Sequence, residues 1–150
     1  MRLAATFLQF VPSLFVTLGV TGAPSSQVIQ VQYAVSPIVA GESGELTVRF
    51  KIAGGFKIPK RPFPRLQLNS SDEIEVAGDV IFGEEGAGKD PEYFKGIRPI
   101  TLQLSPARTA RRGSHMLEGK FVYFYCSEKE KYCSRNVENL KIPVEVVDLK

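Results

Sequence analysis

Cysteine and histidine are scarce in this chain of 150 residues, which has two of the first and one of the second. Three such side chains cannot furnish the four ligands of a structural zinc site, and no metal or small-molecule cofactor is expected. A Cys-x-x-Cys motif is missing as well, because residues 127–132 separate Cys126 from Cys133. Glu84, Glu85 and Asp90 lie among glycines whose spacing fits no EF-hand loop. Charge of one sign is lacking too: 19 basic residues stand against 16 acidic ones, a net +3. Polyanion binding needs clustered basic residues, so nucleic acid is not an expected partner. The densest cluster, Arg108, Arg111 and Arg112, sits beside Gly113 and Ser114 and reads as a solvated hairpin tip. His115 follows in the same tip and reads as a surface histidine with no nucleophile to serve. Helical periodicity, internal repeats and a second domain are all absent. The length suits one domain.

Long apolar runs are missing except at the start. Arg2 gives a positive beginning, residues 3–20 carry no charge, and the small residues Thr21, Gly22 and Ala23 follow. That order is expected of a secretory signal over residues 1–23, cut after Gly22 or Ala23. The alternative is an uncleaved anchor, since a run of this length just spans a bilayer. Gln9 and Pro12 inside the run weigh against it. With no cysteine near the cut, a lipid anchor is not expected. The domain then occupies residues 24–150, and any membrane contact is confined to an uncleaved signal. Outside the cytoplasm, a lone pair of thiols is normally a disulfide.

What is present in abundance is two-residue alternation. Over residues 44–53, Leu46, Val48, Phe50 and Ile52 point one way and Thr47, Arg49 and Lys51 the other. This is the mark of a half-buried strand. Residues 28–35, 74–82, 100–104 and 140–146 read as further strands, with Gly78 and Asp79 as a break or bulge in the third. Residues 116–125 contain the run from Phe121 to Tyr125, apolar on both faces, which suits a central strand covered on both sides. Glycine, serine and asparagine clusters separate these segments. Pro59, Pro62 and Pro64 mark residues 57–65 as a stiff basic loop outside any central strand. About seven short strands between turns predict an all-β, immunoglobulin-like antiparallel β-sandwich.

Cys126 ends the aromatic strand, and the next strand is expected to begin near Val137. The pair therefore sits at a hairpin mouth, close enough for a disulfide. Two readings follow. As a staple, closing a loop of about eight residues contributes roughly 2.5 kcal/mol in the chain-entropy model. As a redox pair, the bond is accessible to in-line attack on sulfur. Lys129, Lys131 and Arg135 favour a thiolate, whereas Glu128 and Glu130 oppose it.

Three segments resemble the N-terminal periplasmic domain of the thiol:disulfide interchange protein DsbD. Gly55, Phe56, Lys57 and Ile58 resemble that family's glycine–aromatic strand start. Residues 91–96, with Pro91, Glu92, Tyr93, Phe94, Lys95 and Gly96, resemble its acidic-aromatic cap loop, followed by the strand over 100–104. Residues 121–133 and 140–146 resemble its active-site hairpin. The resemblance covers most of residues 28–148. It implies a periplasmic electron carrier of immunoglobulin-like fold, with Cys126 and Cys133 as the catalytic pair. Cys133 would form the mixed disulfide and Cys126 would resolve it. Tyr93 and Phe94 would shield the sulfurs, and Asp90 and Glu92 would tune proton traffic, beside the charges of Lys131 and Arg135. The implied partners are thioredoxin-like or transmembrane thiol–disulfide exchange proteins. The alternative function is a non-catalytic immunoglobulin-like binding or assembly module with a structural disulfide.

Overall fold

A computed structural model describes residues 28–86 and 90–150. The expected signal segment, residues 1–23, lies outside the described residues. Among those residues the strands, in chain order, are β1 (Ile29–Val35), β2 (Ile38–Val39), β3 (Gly44–Ile52), β4 (Phe56–Pro59), β5 (Arg65–Leu68), β6 (Ile74–Ala77), β7 (Tyr93–Phe94), β8 (Ile97–Pro106), β9 (Gly113–Ser127) and β10 (Tyr132–Val147). No helix occurs among them.

Alternation builds the first sheet directly. In β3, Leu46, Val48 and Phe50 are buried while Glu45, Arg49 and Lys51 are exposed. The same parity holds in β8, where Ile100, Leu102 and Leu104 are buried between exposed Thr101 and Gln103. These strands form a four-stranded sheet in the order β1-β3-β8-β6, antiparallel throughout. The strand expected over 74–82 stops at Ala77. Gly78 then takes φ 124°, a conformation that a strand of L-residues does not hold.

The second sheet runs β2-β10-β9-β4-β7, with β5 also on β9. Its spine is the long β9–β10 hairpin, paired without a break from Gly113 with Val146 to Ser127 with Tyr132. β2 lies parallel to β10, whereas the other pairs are antiparallel. Two expectations are corrected here. Residues 57–59 belong to β4, a strand between β9 and β7, rather than to a loop. Pro59 is tolerated because it is the last residue of the strand, and the chain leaves the sheet at the proline-rich segment that follows. The strand expected near Val137 begins at Tyr132, so the turn is only residues 128–131.

Stacked together, the sheets form an immunoglobulin-like β-sandwich. The order β1-β3-β8-β6 reproduces the ABED sheet of such domains, and β4, β9 and β10 stand for C, F and G. Inner-face residues interlock between the layers, with Leu46, Val48, Ile74, Leu104, Phe121 and Val144 fully enclosed. Each such side chain contributes about 1.5–3 kcal/mol of transfer free energy. An aromatic column links the layers and climbs β9: Phe82 to Phe50 at 5.8 Å, Phe50 to Phe121 at 4.8 Å, and Phe121 to Tyr123 at 4.8 Å between centroids. Gly119 allows β5 alongside β9, since a Cβ there would meet the Gln67 carbonyl oxygen at 2.5 Å. The arginines beside Gly113 are exposed as expected, whereas His115 is not the surface histidine expected. Arg111 forks onto Glu73, Arg112 holds Asp148, and the His115 side chain is 8% exposed between Glu73 and the Arg111 carbonyl.

Candidate functional site

The two cysteines are directly opposed in the β9–β10 ladder. They are joined by a bond of 2.00 Å with the Cα atoms 4.0 Å apart. That spacing is near the roughly 4.5 Å of a non-hydrogen-bonded antiparallel pair, where side chains lie closest. Local sequence explains the register. Ser127 ends β9 with its side chain buried, its hydroxyl accepts from the Glu130 N–H at 3.1 Å, and its carbonyl accepts from the Lys131 N–H at 3.0 Å. Lys131 adopts φ 57° to close the turn. Those bonds fix a four-residue turn, and the turn fixes Cys133 opposite Cys126.

Parity places the disulfide outside the sandwich. Phe121, Tyr123 and Ser127 turn inward on β9, and therefore Val122, Phe124 and Cys126 turn outward. Cys126 is half-buried and Cys133 exposed. The inner face of the same hairpin end carries tyrosines instead. The Tyr125 ring meets Phe56 edge-on at 5.8 Å and Tyr132 at 6.3 Å. A hydrogen bond with Tyr125, its charge and the nearby Glu130 carboxylate push the Tyr132 hydroxyl up to about 12.

On β4, Lys57 stands across from Cys126 and shares its face. Its ammonium lies 3.0 Å from Glu128 and 5.5 Å from the Tyr93 ring centroid. The hydrogen bond to Glu128 holds the Lys57 ammonium above its ordinary value. Tyr93 pairs with Pro59 on β4, two residues beyond Lys57, and is half-buried on the outward face. Lys57 thus stands between Tyr93 and the disulfide. Phe94 takes the other parity. It pairs with Ile58, is 5% exposed, and belongs to the core cluster. The two rings of the expected cap therefore face opposite sides of the sheet.

Asp90 and Glu92 shape the segment that carries Tyr93. The Asp90 carboxylate accepts the N–H groups of Glu92 at 2.9 Å and Tyr93 at 3.0 Å, and these two bonds hold its carboxyl below the usual range. The Glu92 carbonyl accepts the Lys60 N–H at 2.7 Å. The Lys60 ammonium in turn reaches Glu84 at 2.7 Å and the Asp90 carbonyl, and lies 5.6 Å from the Phe94 ring centroid. Asp90 is thus a turn former. Arg135 pairs with Phe124 on the outward face, one row from the disulfide, and is exposed.

The structure brings Cys126, Cys133, Tyr93 and Arg135 onto one face of one sheet, and sends Phe94 to the other. Sequence reasoning weighed Glu128 but missed Lys57 as a neighbour of the disulfide and as the partner of Glu128. The signal for Lys57 was the alternation Phe56, Lys57, Ile58, hidden by the prolines that follow. Among the described residues no cluster of metal-ligating side chains occurs. Chemically, the arrangement offers a disulfide between a half-buried and an exposed cysteine, beside a cation. Compared with known proteins, the chain matches no family model and no curated sequence.

Proposed function

We propose that this protein is an extracytoplasmic thiol–disulfide exchange carrier working through Cys126 and Cys133. The observation that supports it is the placement of the disulfide: it joins directly opposed residues at the open end of a hairpin, on the outward face, with Cys133 exposed. A bond there closes only a short local loop, worth at most about 2.5 kcal/mol, whereas exchange requires an approach to sulfur that this position leaves open.

The step balances as a two-electron transfer. In the dithiol form, the Cys133 thiolate attacks one sulfur of a partner disulfide. The partner S–S bond breaks, a mixed disulfide forms, and the departing partner sulfur takes up a proton. The Cys126 thiolate then attacks the Cys133 sulfur and expels the second partner thiol. The Cys126–Cys133 bond re-forms, and the partner leaves as a dithiol. A dithiol of a thioredoxin-like or membrane-embedded protein returns the electron pair. Lys57 favours the Cys126 thiolate electrostatically, with Glu128 moderating it. Tyr93 flanks the site from β7.

Equilibration in thiol redox buffers, read by alkylation mass shift, tests the proposal. A reduction potential between roughly −120 and −270 mV is expected of an exchange protein. A value below about −300 mV marks a structural staple. That result replaces the proposal with an immunoglobulin-like binding or assembly module.

A further inference from the structure

The parity that turns the disulfide outward turns a whole patch outward with it. Across β10, β9 and β5 the outward rows are Cys133 with Cys126, then Arg135 with Phe124, then Val137 with Val122 and Arg65, then Asn139 with Lys120 and Gln67. Phe124 and Val122 are half-buried, and Val137 is 40% exposed. An apolar strip of three side chains thus runs from the disulfide along the sheet. Arg135, Arg65 and Lys120 border it, and Lys57 stands at its end.

The charges of this border are not spent within the fold. Among the described residues, Arg65, Lys120 and Arg135 enter none of the salt bridges, which engage Lys57, Lys60, Arg111, Arg112 and His115. The nearest outward carboxylate on β9 is Glu118, beyond Lys120 and away from the disulfide. Glu128, at the other end, is held by Lys57. A protein interface of this kind has an apolar centre and a charged rim, and the rim charges set encounter rate and choice of partner. A basic rim repels a basic partner and attracts an acidic one.

We propose that this outward face docks exchange partners whose contact surface carries carboxylates around an apolar centre, delivering their sulfur to Cys133. The proposal rests on the exchange reading above and adds the chemistry by which a partner is chosen. A nucleic acid or an anionic membrane matches the charge but brings no disulfide to the sulfurs.

The test uses the reduced protein and two disulfide-bonded peptides of equal length. One has its cysteines flanked by Asp and Glu, the other by Lys and Arg. Hydroxyethyl disulfide serves as a neutral reference, and each rate is divided by that of dithiothreitol with the same substrate. At low ionic strength the acidic peptide is expected to react about tenfold faster than the basic one, the sum of three exposed charge contacts of ordinary strength. The ratio falls towards one in 1 M salt, where the screening length is about 3 Å. The triple variant Arg65→Gln, Lys120→Gln, Arg135→Gln loses the preference: its two peptide rates, each divided by the variant's own rate with hydroxyethyl disulfide, become equal. Equal rates for the two peptides at low salt overturn the docking proposal and leave the exchange reading standing. If hydroxyethyl disulfide fails to react, the exchange reading falls instead. Fluorescence anisotropy with a cysteine-free acidic peptide then decides on the face alone: binding lost in the triple variant supports it, and no binding overturns it. Binding to phosphatidylglycerol vesicles through the same three cations, without binding to the acidic peptide, also overturns it in favour of a membrane surface.

Discussion

Breaking the Cys126–Cys133 bond is expected to weaken the fold without unfolding it. The loop that the bond closes is short, with the two cysteines seven positions apart. For a loop of about eight residues the chain-entropy relation gives close to 2.5 kcal/mol at 25 °C. This is an upper figure, because a local hairpin retains some structure in the denatured chain. The native state supplies no compensating dependence on the bond. The inner face of β9 and β10 is packed independently of the sulfurs, and the turn is held by the two bonds to Ser127. The same free energy reappears as a redox quantity. Folding that stabilises the oxidised form by about 2.5 kcal/mol lowers the potential by roughly 50 mV relative to the same pair in the unfolded chain, since 30 mV corresponds to about 1.4 kcal/mol. The assay is urea denaturation of the oxidised protein, the reduced protein and the double variant Cys126→Ala, Cys133→Ala. Reduced and alanine forms are expected to fold cooperatively, each losing about 1–2.5 kcal/mol. A loss above about 5 kcal/mol, beyond the usual range for a disulfide, refutes the argument. So does a reduced form that is unfolded without denaturant.

Two further outcomes follow from the site. In a Cys133→Ser background, Lys57→Met is expected to raise the Cys126 thiol and slow its alkylation at neutral pH, while Glu128→Gln shifts the pH profile the other way; identical profiles exclude Lys57 from the site's electrostatics. Tyr132 gives a pH dependence of stability. Its folded hydroxyl is raised to about 12, so its contribution is complete below the unfolded value near 10 and fades as pH rises towards 12. Thermal midpoints should fall over that window, and Tyr132→Phe should flatten the fall and remove a late-titrating phenolate from the ultraviolet absorbance.

The sequence was most readable where one face is buried and the other wet. Leu46, Val48 and Phe50 in β3, and Ile142, Val144 and Val146 in β10, alternate with polar partners and fall where their parity puts them. The start of β10 was hidden because Tyr132 to Asn136 carry no buried apolar row, although their backbone is paired throughout. From periodicity alone β4 was hidden by Pro59, a residue that ends a strand as readily as it forbids one. The expected cap divided for the same reason that β3 was legible: Tyr93 and Phe94 are neighbours in a strand, and neighbours face opposite ways. His115 was misjudged because its partner Glu73 is distant in sequence, brought in just ahead of β6 by the pairing of β6 with β8. The cysteine pair was legible as a hairpin pair, but its outward facing depends on the parity of Phe121 and Tyr123, which only the packed sandwich decides.

That facing has a mechanical consequence. The strands behind the sulfurs are paired on both sides of the cysteine row, and the aromatic column lies on the far side of the sheet. Oxidation state is thereby insulated from the interior. On the proposed exchange reading, a partner would take or give two electrons at the surface, and the core need register neither event.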